Sequence, residues 1–192
     1  MNKSQICLAS QSPRRSELLQ QLGTDFTVLS CEVPEVVAPG EQAEEFVQRL
    51  ALDKARAGWQ LSDQTCPVMG ADTVVVVDGM IIGKPADAAD AQDMLMELSG
   101  RSHVVMTAVA LVQGDKEALR LNCSTVSFRR IREQECTDYV ATGEPLDKAG
   151  SYAVQGYAAI FIKELHGSYS GVMGLPLYET AQLLEEFDIP LF

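Results

Sequence analysis

The chain has 192 residues, 46% of them hydrophobic, which is enough for one domain, or at most two lobes around a cleft, and excludes a disordered polymer. Its 27 acidic and 15 basic side chains leave a net charge of −12, so a long polyanion such as DNA or RNA would be repelled on approach. A small anion is not excluded, because a few Arg and Lys side chains can build a positive cleft inside an acidic envelope.

The first apolar run, residues 5–10 (QICLAS), reads as a short buried strand, too brief for a signal-peptide core or a membrane span. No segment approaches the roughly 18 consecutive apolar residues that a membrane helix needs. A helix is expected directly after this strand: Ser12 suits the N-cap, Pro13 the first helical position, and Leu18, Leu19 and Leu22 form an apolar stripe closed by Gly23. Residues 26–30 read as a second strand and 33–40 as a loop broken by two prolines. Residues 41–59 carry a helical period through Phe46, Val47, Leu50, Ala51 and Ala55.

Residues 68–78 form the strongest strand pattern, and Asp78-Gly79 is a hairpin turn into residues 80–83. A helix is expected over 87–98, a strand over 102–112, a turn at Gly114 and a returning strand over 118–130. The strand at 102–112 suits either a core or a subunit interface. A short helix over 133–142, a glycine-bearing loop over 144–156, a late strand over 158–163 and a helix over 176–187 complete the chain. Hairpins interrupt the alternation of strand and helix, so an α/β fold with a mixed twisted sheet flanked by helices fits better than a purely parallel one.

Five scattered cysteines without a CxxC pair read as reduced thiols, which places the protein in the cytoplasm. The two histidines, His103 and His166, sit in strand-like sequence and read as structural. Chemistry is expected instead at the turn from Ser10 to Arg15, where a strand hands over to a helix. Backbone N–H groups, the Ser10 and Ser12 hydroxyls and the Arg14 and Arg15 guanidiniums converge there, and the helix dipole favours an anion. The same string also reads as a capped helix with two solvated arginines. Arginines in a first turn oppose the dipole, however, unless an anion joins them.

Asp72, in Gly70-Ala71-Asp72-Thr73, puts a carboxylate beside a run of valines, a costly position unless it is paired or binds a metal. Glu35, Lys54 and Lys84 each read alone as an ordinary surface charge. Together they make an inventory for phosphoryl chemistry: basic groups to hold phosphates, and acidic oxygens suited to Mg²⁺ or Mn²⁺ rather than zinc. Neither a GxxxxGK[ST] loop, a GxGxxG turn nor a GxSxG elbow occurs, which excludes the P-loop, Rossmann and serine-hydrolase mechanisms.

The ordered set Ser10-x-Ser-Pro-Arg-Arg15, Glu35, Lys54, Gly70-Ala71-Asp72-Thr73, Gly83-Lys84-Pro85, Asp147-Lys148-Ala149-Gly150, Gln155-Gly156 and Gly171-Val-Met-Gly-Leu-Pro176 resembles the Maf family of nucleotide pyrophosphatases over nearly the whole chain. The resemblance implies a single domain akin to inosine triphosphate pyrophosphatases. It further implies metal-dependent cleavage of a nucleoside triphosphate to monophosphate and pyrophosphate, and a homodimer. Carried over by position, Asp72 is the catalytic carboxylate, as general base or metal ligand, with Glu35 as its partner at the metal. Ser10, Ser12, Arg15, Lys54 and Lys84 bind the phosphates. Arg14, Thr73 and Gln155 resemble the specificity residues of the branch acting on dTTP and UTP, and a Gln amide offers the donor and acceptor that a pyrimidine edge needs. The alternatives are a member selective for another or modified base, and a non-catalytic nucleotide-binding regulator of cell division. Pro34 departs from the family's usual acidic residue, which leaves Glu32 as a competitor to Glu35.

Overall fold

The computed structural model describes residues 5–191. Its strands are β1 (Ile6–Leu8), β2 (Phe26–Val28), β3 (Val68–Val77), β4 (Met80–Ile82), β5 (Ser102–Gln113), β6 (Lys116–Phe128) and β7 (Ile162–His166). They form one mixed sheet in the order β2-β1-β3-β5-β6-β7, with β4 beside β3. The β1–β2 and β1–β3 pairs are parallel, whereas β3–β4 and β6–β7 are antiparallel. The α-helices are α1 (Pro13–Gln20), α2 (Ala43–Leu61), α3 (Ala88–Leu98), α4 (Glu133–Ala141), α5 (Tyr169–Met173) and α6 (Leu177–Glu186). Among the described residues no helix is long and apolar enough to cross a membrane.

The chain divides into two compact units. The first comprises the residues through Asp72, Thr107–Asn122 and those from Gly174 on; the second comprises Thr73–Met106 and Cys123–Met173.

In the first unit, β1 runs parallel to the start of β3, with Cys7 opposite Val68 and Leu8 opposite Met69. Parallel strands are covered on both faces, which is why β3 is apolar except at Asp72 and Thr73 and is buried almost throughout. Helix α2 turns Phe46, Val47, Leu50, Ala51 and Ala55 inward, the 3.6-residue stripe expected of a helix lying on a sheet. Two glycines set how close it lies. A methyl on Gly58 would come within 2.8 Å of Ala9 Cβ and Val68 Cγ1. A methyl on Gly70 would come within 2.2 Å of Ala51 O and 2.5 Å of Ala55 N, backbone atoms that cannot yield.

In the second unit, Asp78 (φ 49°) and Gly79 (φ 79°) both adopt the left-handed conformation of a type I′ turn and join β3 to β4 as the sequence predicts. The Asp87 carboxylate caps α3 by accepting from the Ala89 and Asp90 N–H groups. Val75, Leu95, Leu98, Val126, Phe128, Tyr139, Tyr152 and Phe161 belong to one buried cluster. Within it Phe128 packs edge-on against His103 and Tyr152, with ring centroids 5.1 and 4.9 Å apart. His103 Nε2 and the Tyr152 hydroxyl lie 2.7 Å apart. Burial pushes His103 down to about 4, so it is a neutral structural side chain at physiological pH.

The sequence expectations fail in two places. Only the end of the strand expected over 158–163 forms: Tyr157–Phe161 is a 3₁₀ helix, and β7 begins at Ile162. The short helix α5 was not expected at all. Strand β5 is core along most of its length, one of the two roles that its sequence allows.

Candidate functional site

The turn after β1 forms as the sequence predicts, with one difference. Ser12 occupies the N-cap of α1 in extended conformation and Pro13 opens the helix, but the Ser12 hydroxyl makes no capping bond. Instead the Ser12 N–H donates to Ser10 Oγ at 3.2 Å. The first turn of α1 carries no acidic residue, so its positive end is not neutralised from within the helix. Arg15 reaches back over this turn: Nε donates to Gly174 O at 2.8 Å and Nη1 to Ser10 Oγ at 3.3 Å. Burial pulls the Arg15 guanidinium below its usual range, with Arg14 adding to that, while Asp72 and Glu35 oppose it. Four of the expected residues therefore share one electrostatic neighbourhood.

Lys54 is the hub of the carboxylates. It projects from the inner side of α2, and its Nζ donates to Asp72 Oδ1 at 2.7 Å and to Glu35 Oε1 at 2.6 Å. The helix register alone does not produce this convergence. Gly70 allows α2 to press onto β3, and Asp72 lies two residues along the strand on the same face. Asp72 is only 7% exposed, and the Lys54 ammonium stabilises its charge there. Glu35, on the exposed double-proline loop, is the acid of the Glu32–Glu35 stretch whose carboxylate reaches Lys54. The Cys31 thiol donates to Lys54 O at 3.7 Å, and burial raises its pKa against the pull of Lys54.

Among the described residues no three His, Cys, Asp or Glu side chains cluster as a metal cage. Two carboxylates already converging on one cation do suit a hard divalent ion, which commonly takes one or two protein carboxylates and completes its shell with water and substrate phosphates.

The remaining expected residues belong to the second unit. Thr73 is half-buried on β3, directly after Asp72. Lys84 is exposed in the turn after β4, where Gly83 O accepts from the Gly150 N–H at 2.9 Å. That bond joins the Gly83-Lys84-Pro85 turn to the Asp147–Gly150 motif. It also explains Gly150: φ is +69°, and a methyl would meet Val75 Cγ2 at 2.9 Å. Gln155 is exposed at the end of the buried stretch 151–154. Glu144, which sequence reasoning did not single out, lies beside the Gln155-Gly156 turn. Its carboxylate accepts from the Tyr157 N–H at 2.9 Å, the Ala158 N–H at 3.3 Å and the Tyr139 hydroxyl at 3.0 Å. The only sequence signal for it was an acid in the same loop as Gln155-Gly156.

A mixed sheet, a helix start with two arginines in its first turn and a Lys-bridged carboxylate pair make an α/β protein with a charged site suited to a small anion. The chain belongs to the Maf family: the description Maf-like protein matches residues 5–187. Among its relatives, the dTTP/UTP pyrophosphatase of Aromatoleum aromaticum is 52% identical, over 98% of both chains. That of Alkalilimnicola ehrlichii is 53% identical over 96% of this chain and 93% of its own, and that of Yersinia pestis 51% over 95% and 92%. A solved nucleoside-triphosphatase / dITP/XTP pyrophosphatase from Mycobacterium abscessus is 24% identical over 66% of this chain and 75% of its own, with a TM-score of 0.44.

Proposed function

We propose that this chain hydrolyses dTTP and UTP to the nucleoside monophosphate and pyrophosphate, in the cytoplasm and as a homodimer. The observation that carries the reading is the Lys54 ammonium held between Asp72 and Glu35, with Arg15 in the same field. The relatives' shared name supports the substrate.

Arg15, Lys54 and Lys84 neutralise the triphosphate, whose charge must be offset before a nucleophile approaches phosphorus, and the Ser10 and Ser12 hydroxyls donate hydrogen bonds to it. Asp72 accepts a proton from the attacking water as the new P–O bond forms. The anhydride P–O bond breaks, and its electron pair leaves with the departing phosphate oxygen. Glu35 and Asp72 are the residues that would hold Mg²⁺ or Mn²⁺, which would supply further charge neutralisation for the phosphates. Arg14, Thr73 and Gln155 select the base, the Gln155 amide offering both a donor and an acceptor to the pyrimidine edge.

The test is pyrophosphate release from dTTP, UTP, CTP and GTP, with Mg²⁺, with Mn²⁺ and with EDTA. Turnover of dTTP and UTP that EDTA abolishes and either metal restores is expected. Release from neither of those two nucleotides would remove the proposal, and EDTA-resistant turnover would remove its metal.

A further inference from the structure

Glu144 has all three of its hydrogen-bonding parts committed. Its N–H donates to Thr142 Oγ1 at 3.2 Å, and its carbonyl accepts from Lys148 Nζ at 2.7 Å. The main chain being fixed, the carboxylate is aimed at one place, the start of the 3₁₀ helix Tyr157–Phe161. There it takes the Tyr157 N–H on Oε2, and the Ala158 N–H and Tyr139 hydroxyl on Oε1. Gly156 lies directly beneath it: a methyl on Gly156 would sit 2.3 Å from Oε2 and 2.4 Å from Cδ and Oε1. On the other side the Gly156 N–H donates to Ala153 O at 3.1 Å. Gln155 is thus the exposed tip of a turn fastened at one end by a carboxylate and at the other by the buried segment 151–154.

We propose that Glu144 is a positioning residue for base selection, holding the Gln155-Gly156 turn so that the Gln155 amide meets the pyrimidine edge in one orientation. The inference rests on the assignment of base recognition to Gln155. A Gln at position 144 cannot do the same work. It would set an NH₂ group against the Tyr157 or the Ala158 N–H, donor against donor, and release the turn. An Asp keeps the charge one methylene further back. The glycine at 156 follows from the same geometry, since any side chain there would have to displace the carboxylate.

The experiment is steady-state kinetics on UTP and CTP for the wild type, Glu144→Gln, Glu144→Asp, Gly156→Ala and Gln155→Ala. Glu144→Gln is expected to raise the KM for UTP about tenfold, with kcat held, and to lower the UTP-to-CTP ratio of kcat/KM by a similar factor. Glu144→Asp should recover part of both. If Glu144→Gln does not fold, Gly156→Ala decides the question, because its methyl must push the turn off the carboxylate and produce the same split. Equal loss on both nucleotides, or wild-type values throughout, overturns the proposal. A Gln155→Ala protein with unchanged base preference overturns the recognition reading beneath it. A Gln155→Ala protein with altered preference beside an unaltered Glu144→Gln protein overturns the role of Glu144 alone.

Discussion

The two units solve different positioning problems with different materials. In the first, the site is made of charges on long side chains: Lys54 reaches from α2 to Asp72 and Glu35, and Arg15 reaches back from α1 to Ser10 and Gly174. Its geometry is set by how closely a helix lies on a sheet. In the second, Gln155 sits on a turn followed by backbone N–H groups that a carboxylate holds. Side-chain charge tolerates small displacements, because Coulombic attraction falls off slowly with distance. A hydrogen-bonding amide on a turn tolerates few, because hydrogen bonds weaken steeply with angle.

The hardest test of the first unit is Asp72→Asn, which keeps the volume and an acceptor for Lys54 but removes the charge. Turnover of UTP should fall by about a thousandfold or more, with the circular dichroism spectrum retained. Activity close to wild type would mean that Asp72 is neither base nor essential ligand.

Gly70→Ala attacks the same geometry through packing. Its methyl meets the backbone of α2 at Ala51 and Ala55, so the helix must move, and a loss of about 3 kcal/mol in stability is expected. Urea unfolding followed through Trp59, the single tryptophan, measures this. Lys54 should lose its reach to Asp72 in that variant, and turnover should fall with stability.

The second unit is separated from the first by pH. His103 has a folded-state pKa of about 4 against an ordinary value of 6.5, so the unfolded chain binds a proton that the folded one refuses. Above pH 6.5 neither state binds it and nothing is lost; between 6.5 and 4 stability drops as pH falls; below 4 the loss is complete. Between pH 7 and 5 the cost is about 2 kcal/mol. Glu41, held down to about 2 by Arg49, loses its contribution only at lower pH. A His103→Gln protein should therefore show a flatter urea midpoint between pH 7 and 5, and a slope as steep as the wild type's would assign the effect elsewhere.

The smallest effect is expected at Arg56, half exposed on α2 and paired with Glu117 at 2.8 and 2.6 Å. Arg56→Ala should cost under about 1 kcal/mol and leave turnover unchanged, since exposed pairs gain little over their hydrated state. A large loss would show that the seating of α2 depends on its outer face as well as on Gly58 and Gly70.

The sequence by itself determined the elements with strong local causes. Helix α1 starts at Pro13, the hairpin turns at Asp78-Gly79, and β3 is a buried strand, because each follows from neighbouring residues alone. The strand-to-helix turn at Ser10–Arg15 was legible for the same reason. Lys54, Glu35 and Asp72 were legible as parts of one chemical inventory, and the family resemblance paired the two carboxylates, but the Lys54 bridge between them is seen only in the fold. These residues are far apart in the chain, and their meeting depends on a helix resting on Gly70. Residues 158–163 show the converse: their apolar run reads as a strand. The Glu144 carboxylate, brought from a preceding loop, caps the Tyr157 and Ala158 N–H groups and tightens that stretch into a 3₁₀ helix. Local preference is settled by neighbours a few residues away, whereas the charges and caps that make this site come from segments that only the folded chain brings together.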